Sequence, residues 1–182
     1  MRLMKTVAAA AVLFALTGVA AQADRGKEVA CDETDFDFVA PSYEITCKDY
    51  SRSSVSTGQS LAASRSYSLY AYSGADQTFV DVFSDYIVTA SVYYPRRSME
   101  ADLEDSYTAK FSEWATLDDI GDYEIRNVTA TFEDGDPMEC VGFRKLGIRR
   151  WEGINGLTVG LSCSDKGREK ALEAAKLFIS QD

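Results

Sequence analysis

The chain has 182 residues, with 19 Lys+Arg against 29 Asp+Glu, a net charge of −10 and no histidine. A chain this acidic repels phosphate backbones and anionic lipid, so nucleic acid is not an expected partner. The missing histidine rules out Ser-His-Asp and Cys-His catalysis, His-ligated zinc and a proximal haem ligand, and the Ser-x-x-Lys, Walker and G-x-G-x-x-G patterns are missing too.

The first stretch, MRLMKTVAAAAVLFALTGVAAQADRG, opens on Arg2 and Lys5 and continues through an apolar run, Val7 to Val19. Ala21-Gln22-Ala23 then places small residues where a signal peptidase inspects them. This is the three-part secretory pattern, and its apolar run is short for a membrane span. Residues 1–23 are therefore expected to be a cleaved signal peptide, directing the protein to the periplasm or the extracellular space. No later stretch reaches spanning length, so no membrane insertion is expected after cleavage. The remainder, from Asp24 to Asp182, keeps 17 basic and 29 acidic residues, net −12, and reads as a single domain.

All four cysteines, Cys31, Cys47, Cys140 and Cys163, follow the cleavage point. An even count in an oxidising compartment reads as two disulfides, and no C-x-x-C motif suggests redox work or a close-spaced zinc pair. Composition alone selects none of the three possible pairings. Strand geometry favours Cys140 with Cys163. A hairpin centred near Trp151–Glu152 sets these two opposite each other, with Gly142 facing Leu161 and Leu146 facing Leu157. Cys31 and Cys47 then form the second bridge. The same register puts Arg144 on the cysteine face opposite Val159, and a bulge at Gly142 or Gly147 is the expected way to turn it outward.

In chain order, residues 24–66 read as an N-terminal extension. It has an acidic piece with Phe36 and Phe38, then a Ser-rich surface loop, SRSSVSTGQSLAASRS. Three strands follow, SYSLYAYS, QTFVDVF and DYIVTASVYY, stopped by Pro95. Met99, Leu103, Tyr107, Phe111 and Trp114 recur every three or four residues. That spacing predicts an amphipathic helix over 98–115, capped by Ser98. YEIRNVTATF, MECVGFRKLGI and LTVGLSC predict three antiparallel strands, and the tail predicts a C-terminal helix capped by Ser164 or Asp165. The expectation is α+β: a mainly antiparallel sheet of about six strands with two helices packed on it. In architecture alone, this element order resembles small extracytoplasmic domains of the photosystem II oxygen-evolving P-subunit-like kind. No diagnostic motif accompanies the resemblance, and no residue role is carried over.

The basic stretch Arg144, Lys145, Arg149, Arg150 beside Trp151 is the candidate contact for an anion or an acidic partner, with outward charges on a strand edge as the plainer reading. The acidic runs CDETDFDF and FEDGDPME lack EF-hand spacing and read as turns or solvated surface, so no metal and no cofactor is expected. Asn127-Val128-Thr129 is a glycosylation sequon only in a eukaryotic host. The functional expectation is an exported, non-enzymatic envelope protein that binds a protein or small-molecule partner. The alternatives are a carboxylate-dependent glycoside hydrolase, which needs two acids at a set separation, and a structural subunit of an envelope complex, which needs an exposed apolar patch.

Overall fold

The structure is a computed structural model that describes residues 26–36, 38, 40–57, 60–88, 94–133, 135–148 and 153–180. The expected signal peptide, residues 1–23, lies outside them. Alternating apolar positions build one antiparallel sheet. Its strands are β1 (Lys27–Val29), β2 (Glu44–Asp49), β3 (Arg52–Thr57), β4 (Ser60–Ser73), β5 (Thr78–Ile87), β6 (Ala109–Thr116), β7 (Tyr123–Phe132), β8 (Met138–Leu146) and β9 (Gly156–Ser164). The spatial order is β1-β2-β4-β5-β9-β8-β7-β6, with β3 on the same side of β4 as β2. Among the described residues two α-helices join the sheet, α1 (Met99–Ser106) and α2 (Arg168–Ile179). The α+β class is as expected, but among the described residues the sheet has nine strands rather than about six, and the element order behind the resemblance above is not the order of the fold.

Each added strand has a local cause. QTFVDVF and the start of DYIVTASVYY are one strand, because the alternation of Val80, Val82 and Ser84 against Phe79, Asp81, Phe83 and Asp85 runs on without a break. Residues 89–93, the middle of the expected third strand, lie outside the described residues. The Ser-rich stretch is a β-hairpin, with β3 on the first part of β4. The N-terminal piece adds β1 and β2 and sends Phe36, Phe38 and Ala40 into the core, so it is integral to the domain.

The sheet has two unequal faces. α2 presents Ala171, Ala174, Ala175, Phe178 and Ile179 as one apolar stripe. That stripe seals one face over Leu69, Ala71, Val80, Val82, Ile125, Val141 and Phe143. The Phe178 ring lies 5.4–6.4 Å from the rings of Phe36, Phe38, Tyr123 and Phe143. The expected caps of α2 give way to Gly167 at φ 93°, and the Glu139 carboxylate accepts from the Arg168 N–H at 3.0 Å.

The other face is covered only in part. α1 lays Met99 and Leu103 over β8 and β9, beside Val128, Cys140, Val159, Leu161 and Cys163. Gly142 makes room for it: a Cβ there would sit 2.6 Å from Leu103 Cδ1. Ser98 caps the helix as expected, accepting from the Ala101 N–H at 3.2 Å.

The helix expected over 98–115 is corrected. It ends at Ser106, and residues 109–116 form β6 on β7. The aromatic spacing imitates a helix because Glu113, at φ 56°, sits where the register shifts between Ser112 and Ala115. One extra residue in a strand separates Phe111 and Trp114 by three instead of two, and their rings still meet at 5.6 Å.

Both disulfides form as the spacing predicts. Cys140 and Cys163 are directly opposed with Cα atoms 4.1 Å apart, a narrow pair. Cys31 and Cys47 join at a Cα distance of 5.3 Å. Two disulfides in one chain fit an oxidising, exported compartment. Among the described residues, no helix is long and apolar enough to cross a membrane.

Candidate functional site

The basic stretch is the first place to look, and the structure divides it. The register of β8 on β9 puts Arg144 opposite Val159, as expected, with no bulge to turn it out. Its side chain points under α1 instead. Nη1 donates to Asp102 Oδ2 of α1 at 2.6 Å and to the Arg97 carbonyl at 3.0 Å, and Nη2 donates to Glu124 Oε2 of β7 at 2.5 Å. Arg144 is 5% exposed and Asp102 7%. A guanidinium held between two carboxylates at this burial pins α1 to the sheet and is not open to an outside anion. Lys145 points to the opposite face, its Nζ 5.4 Å from the centre of the Tyr123 ring. Arg149, Arg150 and Trp151 lie outside the described residues. A shallow cleft of about 490 Å³ runs beside Glu124, Arg144, Lys145 and Tyr86. Its borders carry Asp122 and Glu124 as well as the two cations, so its charge is mixed.

The other expected candidates separate cleanly. Asp37 and Asp134 of the acidic runs lie outside the described residues. Among the described residues, no three of His, Cys, Asp and Glu converge as a metal would require. The sequon Asn127 sits mid-strand in β7, its amide oxygen buried and without a hydrogen-bond partner.

The site that the sequence reading missed lies on the half-covered face, over β2, β4 and β5. Asp81 stands in the middle of β5, directly opposite Tyr70 of β4 on one side and Leu161 of β9 on the other. Phe79 and Phe83 flank it two residues away on the same face. Tyr70 stacks on Phe79 with centroids 6.1 Å apart, Phe79 meets Phe132 at 5.8 Å, and Phe83 meets Tyr50 at 6.4 Å. The Tyr107 hydroxyl, from the turn after α1, donates to the Asp81 carbonyl at 2.6 Å. Asp81, Tyr70, Phe79 and Phe83 are all half-buried, and Tyr72 at the edge is 39% exposed.

Within this aromatic setting the Asp81 carboxylate has no hydrogen bond or ion pair among the described residues. Burial in apolar surroundings, with nothing to offset it, pushes its pKa up to about 7. Burial, reinforced by the Asp81 charge, also pushes the Tyr70 hydroxyl up to about 12 and holds Tyr107 well above its ordinary value. Four residues along the strand, Asp85 does have hydrogen-bond partners. Ser66 Oγ donates to its Oδ1 at 2.6 Å and the Tyr94 hydroxyl to its Oδ2. Burial and that bond raise the Tyr94 pKa.

The sequence does hold a signal for Asp81. It is an acid inside FVDVF, where both neighbours on its own face are phenylalanines. An acid at that position loses hydration whichever way the sheet is covered. Comparison of the chain with family models, with curated proteins and with solved structures finds no match.

Proposed function

We propose that the protein is an exported, disulfide-bonded accessory protein of the cell envelope that binds a partner or ligand without chemically altering it, and that binding takes place on the β2–β4–β5 face. The observation that carries the reading is the contrast between the two faces. α2 and the N-terminal segment bury the centre of one, while the other keeps Tyr70, Tyr72, Phe79 and Phe83 partly exposed around a carboxylate that has no partner among the described residues. Half-exposed aromatic residues around one polar group are what recognition surfaces use. The signal-like start of the chain and the two disulfides support export, with the periplasm as the bacterial destination.

The hydrolase alternative fares worse on geometry. Asp81 has a raised pKa; the next acid facing the same way on its own strand, Asp85, lies four residues along, roughly 13 Å at a strand's rise, and Glu44 of β2, two strands over and two residues off in register, stands roughly 12 Å away. Paired glycosidase carboxylates stand roughly 5–10 Å apart. Asp85 is also already engaged by two hydroxyls.

The test is a photo-crosslinker placed at Tyr72 of the exported protein, with a second at Leu177 on the outer side of α2 as control. A saturable adduct from position 72 and none from 177 is expected. Release of reducing sugar from a cell-wall polysaccharide by the wild type, lost in Asp81→Asn, would overturn the reading.

A further inference from the structure

We propose that the face around Asp81 is a binding site for an organic ammonium group, in which the Asp81 carboxylate meets the positive charge and the rings of Tyr70, Phe79 and Phe83 enclose its carbon shell. This names the ligand class for the face assigned above, and so rests on that reading. The argument is one of matched chemistry. An unpartnered carboxylate calls for a cation, and among the described residues none stands over it. Hard metal ions are a poor match, because they require about six oxygen ligands and this site offers a single carboxylate among rings. A hydrated anion is repelled by the carboxylate, and a neutral sugar can donate hydroxyls to it but supplies no counter-charge. An ammonium or alkylammonium group satisfies both parts of the site, since aromatic faces attract cations and apolar surroundings strengthen the pairing.

Among the described residues, those that face Asp81 from the adjoining strands are uncharged. From β4 the facing groups are Ser68, Tyr70 and Tyr72, and from β9 they are Val159, Leu161 and the disulfide-bonded Cys163. Tyr107 faces it from the turn after α1. On its own strand the nearest acid is Asp85, already bonded to Ser66 and Tyr94. β2, one strand further out, carries Glu44 opposite Tyr72, Thr46 opposite Tyr70 and Lys48 opposite Ser68. Tyr70 and Tyr107, raised by burial, stay neutral across the neutral range. Binding therefore follows the ionisation of Asp81 and strengthens as pH rises through about 7.

The experiment titrates the purified, oxidised protein at constant ionic strength with two probes, tetramethylammonium and Nα-acetyl-lysine amide, at pH 8.5 and pH 5.5. Saturable binding of at least one probe is expected at pH 8.5, about thirtyfold weaker at pH 5.5, the ratio of ionised carboxylate for a pKa near 7. Asp81→Asn should lower the affinity at pH 8.5 at least tenfold and remove the pH dependence, and Tyr70→Leu should weaken tetramethylammonium severalfold. A preference for tetramethylammonium assigns a small quaternary amine, and a preference for the lysine amide assigns a lysine side chain on a partner. Absence of saturable binding by either probe at pH 8.5, or equal binding by Asp81→Asn, overturns the proposal. The pH comparison needs only the wild type, so the test survives a variant that fails to fold. A crosslinked partner at Tyr72 alongside failed ammonium titrations would end this inference and leave the broader reading standing.

Discussion

Replacing Asp81 by asparagine should stabilise the protein at alkaline pH and leave it nearly unchanged at pH 4. The substitution keeps the shape and removes the charge. A carboxyl held at about 7 in the folded state, against about 3.9 in the unfolded chain, keeps its proton while the unfolded chain has released it. Stability is therefore fully present below about pH 4 and is lost as pH rises through 7, at about 1.4 kcal/mol per unit. Over roughly three units the loss is on the order of 4 kcal/mol. The side chain is half-buried, so solvent screens part of that, and about 2–3 kcal/mol is the expected gain for the variant at pH 8.5. For a domain of this size that corresponds to roughly 5–10 °C in melting temperature. Thermal melts of both proteins at pH 4 and pH 8.5, followed by circular dichroism, measure the difference directly. Because every other titrating group is common to the two proteins, the pH dependence of the difference belongs to position 81. An equal shift at both pH values, or no gain at pH 8.5, would refute the desolvated-carboxylate account.

Three further outcomes follow from the rest of the fold. Arg144→Ala leaves Asp102 buried without its cation and should cost about 3–5 kcal/mol in chemical denaturation, whereas Arg144→Met combined with Asp102→Leu should recover most of that loss. Gly142→Val drives a side chain into Leu103 and should destabilise by about 1–3 kcal/mol while leaving the disulfides intact. The exported protein should give no free thiol when unfolded without reductant and four after reduction, and replacing Cys140 and Cys163 by alanine should lower stability by about 3 kcal/mol.

Strands whose period is plain were legible in the chain. β7, β8 and β9 lie where alternation puts them, and the single choice of a hairpin register gave the Cys140–Cys163 bridge together with the Gly142–Leu161 and Leu146–Leu157 pairs. What escaped reading were signals that two structures share. A bulge at Glu113 turns the two-residue period of a strand into the three-residue spacing of a helix. The Ser-rich stretch lacks bulky side chains, yet its backbone still pairs, because β4 offers an edge to it. Arg144 was placed in the right register and assigned the wrong environment. Charge argues for solvent, but the acids that neutralise it arrive from α1 and β7, 42 and 20 residues away in sequence. For Asp81 the neighbours within its own strand were informative, while the absence of a counter-charge is a property of the assembled sheet alone.

Arg144 and Asp81 bear on function when they are considered together. Both project from the same face of the sheet, and both stand beside β9, Arg144 opposite Val159 and Asp81 opposite Leu161. One carries the positive charge that the other lacks, yet they do not pair. α1 accounts for the separation. Leu103 and Met99 pack down on Gly142, the β8 residue that lies across Leu161 from Asp81, and this apolar seat stands between the two groups. Asp102, from the same helix, draws the guanidinium the other way. The fold thus satisfies its buried cation twice over and leaves its desolvated anion unmatched. A carboxylate whose burial opposes its ionisation, and which has no hydrogen bond or ion pair among the described residues, is the feature on which the proposed site rests. Proteins commonly hold such destabilising groups where they bind or react. Two measurements on Asp81→Asn carry the point. A variant that is more stable and no longer binds ammonium would show the acid serving a ligand, whereas one that is more stable with binding intact would leave Asp81 as a cost of folding with no use on this face.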